Sequence, residues 1–201
     1  MEMINRLVAA ILILFSLNSV APAEEWEVDL SAGSKSVTGG IHDKSYLDSG
    51  YFRVGGSGLY SDDEETEYKW ASLDLMVGSD TLSPGFFCEV GLRGIGGDLD
   101  EEQNSGDLGL VAFSLAAGYL FPKENTFVPV EIFSNIAWSP DPLAFLDTEE
   151  FIEFNLGVGI RIIKNASVIA TYSNYHLKMN SGPGDWTMND DAFRAGVVLR
   201  F

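Results

Sequence analysis

Few residues in this chain are spaced for chemistry. The segment Tyr172-Ser173-Asn174-Tyr175-His176 offers a hydroxyl and an imidazole, the pair a serine hydrolase needs within ~3 Å so that the ring can take the proton. Their spacing opposes that use. Ser173 and His176 differ in parity, so a regular strand sends them to opposite faces unless a bulge realigns them. His42 is the only other histidine and has no recognisable nucleophile beside it. A second set consists of charges at alternating positions in strand-like runs: Glu89, Arg93, Glu131, Glu153, Arg161, Arg194 and Arg200. On the inner face of a closed sheet they would form an ion-pair network filling the lumen, or line a narrow pore if the small residues Ala112, Ser114, Ala116, Gly118, Gly157 and Gly159 leave room for water.

Acidic runs at 62–65, 98–102 and 141–150 offer oxygen ligands, but none has EF-hand spacing or its obligatory glycine. They read as a solvated face that loosely attracts divalent cations, with no dedicated metal site. Cys88 is the single cysteine, which excludes an intrachain disulfide or a cysteine metal cluster and makes it a small apolar wall residue. Gly55-Gly56-Ser57-Gly58 lacks the Lys-Ser/Thr and the helix of a phosphate-cradling loop. No cofactor and no catalytic residue is therefore assigned.

The elements that position these residues are strands. In 151–163, Ile152, Phe154, Leu156, Val158, Ile160 and Ile162 alternate with Glu153, Asn155, Gly157, Gly159 and Arg161, a period of two with one apolar face and one small or charged face. Similar runs occupy 26–32, 51–60, 69–77, 86–95, 108–121, 127–138, 167–177 and 192–201; the faces of 167–177 are not separable by pattern. Short turns at 78–84, 122–125 and 164–165 alternate in phase with longer acidic connections at 62–65, 98–102, 141–150 and 180–191. Bacterial membrane barrels have short periplasmic turns, long outer loops and an even strand number. The irregular segment 36–46 is the place for a tenth strand, and eight follows if the chain before Tyr51 adds little to the wall.

Charge and leader agree with that class. Lys and Arg number 12 against 30 Asp and Glu, a formal charge of -18, and the few cations are scattered, which excludes a nucleic-acid partner. The 46% hydrophobic and 12% aromatic content argues against disorder. Residues 1–23 have the form of a secretory signal: Arg6, an apolar run over 7–17, and Ala21-Pro22-Ala23 as the cleavage site. The mature domain is then 24–201. Trp26, Trp70, Tyr119, Phe121, Phe127, Trp138 and Phe201 stand near strand ends, as interfacial girdles would.

Phe193, Ala195, Val197, Leu199 and Phe201 close the chain at every second position. This resembles the carboxyl-terminal signature of bacterial outer-membrane barrels, in which the terminal aromatic, here Phe201, is associated with recognition by the barrel-assembly machinery. The chain also resembles the YfaZ-like outer-membrane proteins, through Gly58-Leu59-Tyr60-Ser61-Asp62-Asp63-Glu64-Glu65, Trp138-Ser139-Pro140-Asp141-Pro142-Leu143-Ala144-Phe145, the Asn165-Ala166-Ser167-Val168 turn and Val197-Val198-Leu199-Arg200-Phe201. Where that family more often has Tyr-Ala-Pro, this chain has Trp138-Ser139-Pro140. The resemblance implies a small barrel and supplies no catalytic residues.

The sequence thus predicts an all-β, antiparallel transmembrane barrel of ten strands in the outer membrane of a Gram-negative bacterium. It would be non-enzymatic, structural or narrow-pore and porin-like in type, contacting outer-membrane lipid and lipopolysaccharide through its wall and acidic loops. A lipid-modifying hydrolase is the alternative.

Overall fold

The computed structural model describes residues 24–63, 66–101, 104–121, 128–181 and 184–201. The expected signal segment 1–23, Phe127, the turn 122–125, Glu64, Glu65 and Glu102 lie outside the described residues. Eleven strands follow one another: β1 (Glu24–Gly33), β2 (Ser36–Leu47), β3 (Gly50–Asp62), β4 (Thr66–Ser83), β5 (Phe86–Glu101), β6 (Asn104–Leu120), β7 (Val130–Ser139), β8 (Ala144–Leu146), β9 (Thr148–Ile163), β10 (Ala166–Ser181) and β11 (Gly184–Arg200). Each wall strand pairs antiparallel with its neighbour, and β7 pairs directly with β9. β1 against β11 closes the ring, Val28 facing Leu199 and Leu30 facing Val197. β8 is a three-residue patch on β6, so the wall has ten strands.

The tenth strand is β2, which pairs along its length with β1 and β3 and removes the eight-stranded alternative. Closure matters energetically because an open sheet in lipid would strand backbone N–H and C=O groups at its edges. Phe201 completes the seam, its N–H donating to the Trp26 carbonyl at 2.8 Å and its carbonyl accepting from the Trp26 N–H at 3.1 Å. At the same end β4 and β5 are joined by Pro84-Gly85. Gly85 has φ +83°, the left-handed conformation a type II turn requires after its proline.

The acidic connections differ from the expectation of long loops. Asp98 and Asp100 lie within β5, and β10 and β11 run on to Ser181 and from Gly184, so most of 180–191 is a hairpin. Strands of 16 to 18 residues are longer than the roughly 9–11 that cross a bilayer. Their surplus extends at the end remote from Phe201, where the polarity of the wall reverses. Outward Leu73, Leu75 and Val77 on β4 give way to Glu67 and Lys69, while inward Asp74 and Ser72 give way to Trp70 and Tyr68. The alternation continues, but with the faces exchanged, and the sequence pattern of a membrane strand stops there.

Candidate functional site: the barrel interior

The interior has two storeys. In the half nearer the termini inward polar side chains, interspersed with Met76, Phe87, Phe133 and Ile169, are joined across the lumen. Arg93 on β5 donates from Nε to Asp74 Oδ1 at 2.6 Å and from Nη1 to Glu153 Oε2 on β9 at 2.8 Å. β6 and β7 separate those two strands in the wall, so this arginine is a strut across the opening. Asp74 is 1% exposed and Glu153 7%. Charges so deeply buried require partners; the two carboxylates share this one guanidinium, and Asp74 Oδ2 is left without a hydrogen bond among the described residues.

Neighbouring groups repeat the device. Glu89 accepts from Tyr51 Oη at 2.8 Å and pairs with Arg53 at 2.6 Å. Arg200 reaches Glu27 at 2.9 Å and Glu131 at 3.7 Å, and Arg161 reaches Glu131 at 3.8 Å. Arg194 meets hydroxyls instead: Ser36 at 3.0 Å, Tyr175 at 2.8 Å, and Ser173. Ser173 in turn donates to Asn155, whose amide donates to Glu153 Oε1 at 2.5 Å. A continuous polar chain therefore leads from Arg194 through Ser173 and Asn155 to Glu153, Arg93 and Asp74.

Of the alternating charges singled out in the sequence, Arg93, Glu153 and Arg194 belong to this chain, Glu89 pairs with Arg53, and Glu131, Arg161 and Arg200 form a separate group with Glu27. The residues that sequence reasoning did not place in these groups are Arg53, Asp74, Tyr51, Glu27 and Tyr175; Ser173 entered only as a hydrolase candidate, and Asn155 only as a member of the small or charged face of 151–163. Asp74 was legible by parity with Ser72 and Met76. Arg53 sits in a glycine-rich strand with no clear stripe, and the faces of β10 were ambiguous.

Of the small inward residues, Gly118 and Gly157 leave no open space, whereas a Cβ on Gly159 would meet nothing closer than 3.4 Å. Rings from adjacent strands lie over the glycines: a Cβ on Gly118 would stand 2.3 Å from the Phe87 ring, on Gly157 2.2 Å from Phe133, on Gly55 1.9 Å from His42, and on Gly78 2.5 Å from Tyr51. Glycine serves here as the seat of an inward ring.

In the half remote from the termini the interior is apolar. Tyr68, Trp70, Leu99, Leu108, Phe151, Leu177, Met179 and Met188 are each 8% exposed or less and form one cluster. Trp70 stacks on Tyr68 with centroids 4.8 Å apart and meets Tyr175 and Phe151 edge-on at 5.2 and 6.3 Å. Burying each large side chain is worth roughly 1.5–3 kcal/mol. This corrects the placement of Trp70 in an interfacial girdle: it faces inward because the outer positions at its level meet water. Trp26 and Trp138 do face outward, 39% and 46% exposed.

The exterior is the complement. Leu73, Val90, Leu115, Val158 and Phe193 are between 43% and 71% exposed, members of an apolar belt that passes around the wall and far exceeds the patch a soluble monomer leaves bare. Beyond it stands a charged rim with the pairs Lys69–Asp98 at 3.5 Å, Lys178–Glu149 and Lys35–Asp63. The hydrogen bond to Asp63 holds the Lys35 ammonium above the usual lysine range. Among the described residues no group of three or more His, Cys, Asp or Glu is arranged to hold a metal ion.

Ser173 is 1% exposed and inward, whereas His176 is on the outer face, its Nδ1 2.7 Å from Asn189 Oδ1. His42 has Asp29 at 3.3 Å on Nε2 and Arg53 at 3.3 Å on Nδ1. Because arginine only donates, Nδ1 accepts and Nε2 carries the proton toward Asp29. Both nitrogens of the His42 ring are thereby engaged.

Residues 7–201 match the family described as outer membrane protein beta-barrel domain. No curated protein matches the chain. Among solved structures, the translocator domain of the autotransporter NalP from Neisseria meningitidis aligns over 100% of this chain and 96% of its own, at 11% identity and a TM-score of 0.42. The KdgM porin aligns over 88% of this chain and 99% of its own, at 9% identity and a TM-score of 0.39. The copper transporter OprC aligns over 87% of this chain at 16% identity and a TM-score of 0.32, and the chain spans only 34% of that protein. Likeness at this level carries no argument about activity.

Proposed function

Because the chain belongs to the outer membrane protein beta-barrel domain family, we propose that it acts as a structural, non-enzymatic barrel whose own wall residues close its lumen. The observation that carries this reading is the double obstruction: the Arg93 strut between Asp74 and Glu153 lies in series with the apolar cluster around Trp70 and Phe151. A hydrated path would have to displace both a buried ion-pair strut and a packed aromatic core. The narrow-pore and hydrolase readings have no comparable support, since Ser173 and His176 sit on opposite faces.

In this proposal the barrel resides in a Gram-negative outer membrane after cleavage behind Ala23, and belongs with the YfaZ-like proteins. Its acidic rim faces the cell exterior, meeting lipopolysaccharide with divalent cations as loose counter-ions. Phe201, already paired to Trp26, is the group read by the assembly machinery during insertion.

The test is planar-bilayer conductance of the refolded protein. Native barrel is expected to be silent, and the combined Arg93→Ala, Trp70→Ala and Phe151→Ala protein to show discrete channel steps. Steady channels from the native protein would establish a pore instead. Incubation with phospholipid or lipopolysaccharide should release no fatty acid above background, with His176→Ala making no difference; turnover lost on that substitution would establish the hydrolase.

A further inference from the structure

β7 stops at Ser139, while its neighbours β6 and β9 continue beyond the apolar belt. The gap between them is covered by a one-turn 3-10 helix, Asp141–Leu143, and by β8 lying on β6. Asp147 fastens the end of this segment: its N–H donates to the Asp107 carbonyl at 3.3 Å, its side chain accepts from the Asp107 N–H at 2.9 Å, and its carbonyl accepts from the Asn180 N–H at 2.7 Å.

Two apolar side chains of β8 face away from the protein. Phe145 is 52% exposed and Leu146 73%. By register Leu146 faces Leu108, an inward, buried residue, so a regular strand would turn Leu146 into the core. Its φ is +58°, the only positive φ at a non-glycine among the described residues. A bulky side chain there is an outlier that the surroundings must hold in place. The consequence is geometric: Leu146 lies over the outer face of Gly109, where a Cβ would stand 2.9 Å from Leu146 Cδ1. At comparable height β9 and β10 carry Glu150 and Lys178 outside.

We propose that Phe145 and Leu146 form a lipid-contacting finger, inserted among the acyl chains of the leaflet at the acidic end of the barrel. Continuity with the belt identifies lipid as the occupant. Gly109, beneath Phe145, is two residues beyond outward Val111 on β6, and Val111 is followed by outward Phe113, which packs against Trp138 with centroids 6.4 Å apart. The apolar face therefore runs without interruption from mid-wall to Leu146 in this sector, while β9 and β10 turn charged at Glu150 and Lys178, and β5 and β4 turn charged at Asp98 and Lys69, one outward position beyond Gly96 and Ala71. Function follows from asymmetry: one side of the barrel reaches further into the leaflet, which sets the tilt and rotation of the barrel about its axis.

The experiment uses full-chain protein with Cys88→Ser, refolded into phosphatidylcholine vesicles. A single cysteine at Phe145, Leu146 or, as control, Lys178 carries a polarity-sensitive fluorophore. Probes at 145 and 146 are expected to emit at shorter wavelength than at 178, to be quenched severalfold more by spin-labelled acyl chains, and to be shielded from iodide. Iodide quenching at 145 and 146 equal to that at 178 would overturn the proposal. Protection that appears only at high protein-to-lipid ratio would assign the finger to a second copy and overturn it as well. Because labels alter apolarity, an unlabelled Phe145→Asp, Leu146→Asp protein is compared with the parent by polarised infrared dichroism. A changed strand tilt at unchanged strand content is expected, and an unchanged tilt counts against the inference.

Discussion

The two storeys of this barrel solve opposite solvent problems with the same ten strands, and β10 shows the exchange within one element. Near the termini it sends Val168, Ala170 and Tyr172 outward and Ser167, Thr171 and Ser173 inward. Further along it sends Asn174, His176 and Lys178 outward and Tyr175, Leu177 and Met179 inward. In lipid the apolar face belongs outside and the interior is free to be polar, provided every charge is paired. Beyond the lipid the outer face meets water, and the interior becomes an ordinary hydrophobic core. The lower half is thus held by electrostatic struts and the upper half by packing, which predicts different responses to the same kind of substitution.

The largest effects come from breaking each half at its centre. Trp70→Ala removes the ring around which Tyr68, Tyr175 and Phe151 pack and is expected to cost about 3–5 kcal/mol in urea unfolding from vesicles. Arg93→Met should cost a similar ~3–5 kcal/mol, because Asp74 and Glu153 are left buried without their cation. What separates the halves is rescue. Adding Asp74→Leu and Glu153→Met to Arg93→Met should restore most of the loss, since a matched apolar replacement of a buried ion cluster is often neutral or stabilising. No polar replacement set should rescue Trp70→Ala. If the triple variant is no more stable than Arg93→Met alone, the strut account of the lower half is wrong.

Smaller effects probe the outer face. Val158→Arg introduces a charge into the lipid belt and should cost ~2–4 kcal/mol, whereas Asn174→Arg, on the same face above the belt, should change stability by less than about 0.5 kcal/mol. Equal costs at the two sites would mean that the polarity boundary lies elsewhere. The smallest perturbation is a single cysteine at Asp98 or Lys69 with Cys88→Ser. Both residues are exposed on the rim, and labelling by an impermeant reagent in intact cells is expected; labelling only after the outer membrane is opened would reverse the orientation.

The two-residue alternation recurring along the chain, with 36–46 as an irregular tenth segment, was enough to read a ten-stranded barrel from the residues and to assign charges such as Arg93 and Glu153 to its inner face. Each of those inferences rests on local periodicity, which the pleat enforces wherever one face meets lipid. Periodicity does not say how far a strand continues once the solvent changes, so 98–102 and 180–191 looked like loops and Trp70 looked interfacial. The faces of β10 were illegible because its two polarity patterns cancel when read as one.

Which charges meet was decided only by closure. Arg93 and Glu153 are 60 positions apart on strands that do not pair, and Arg194 finds Ser36 across a separation of 158. Ring closure, stagger and the inward lean of long side chains bring them within reach. A one-dimensional pattern assigns a side chain to a face; the curvature of the closed sheet determines what stands opposite it, and here that curvature turns scattered charges into struts and fills the space above them with aromatic rings.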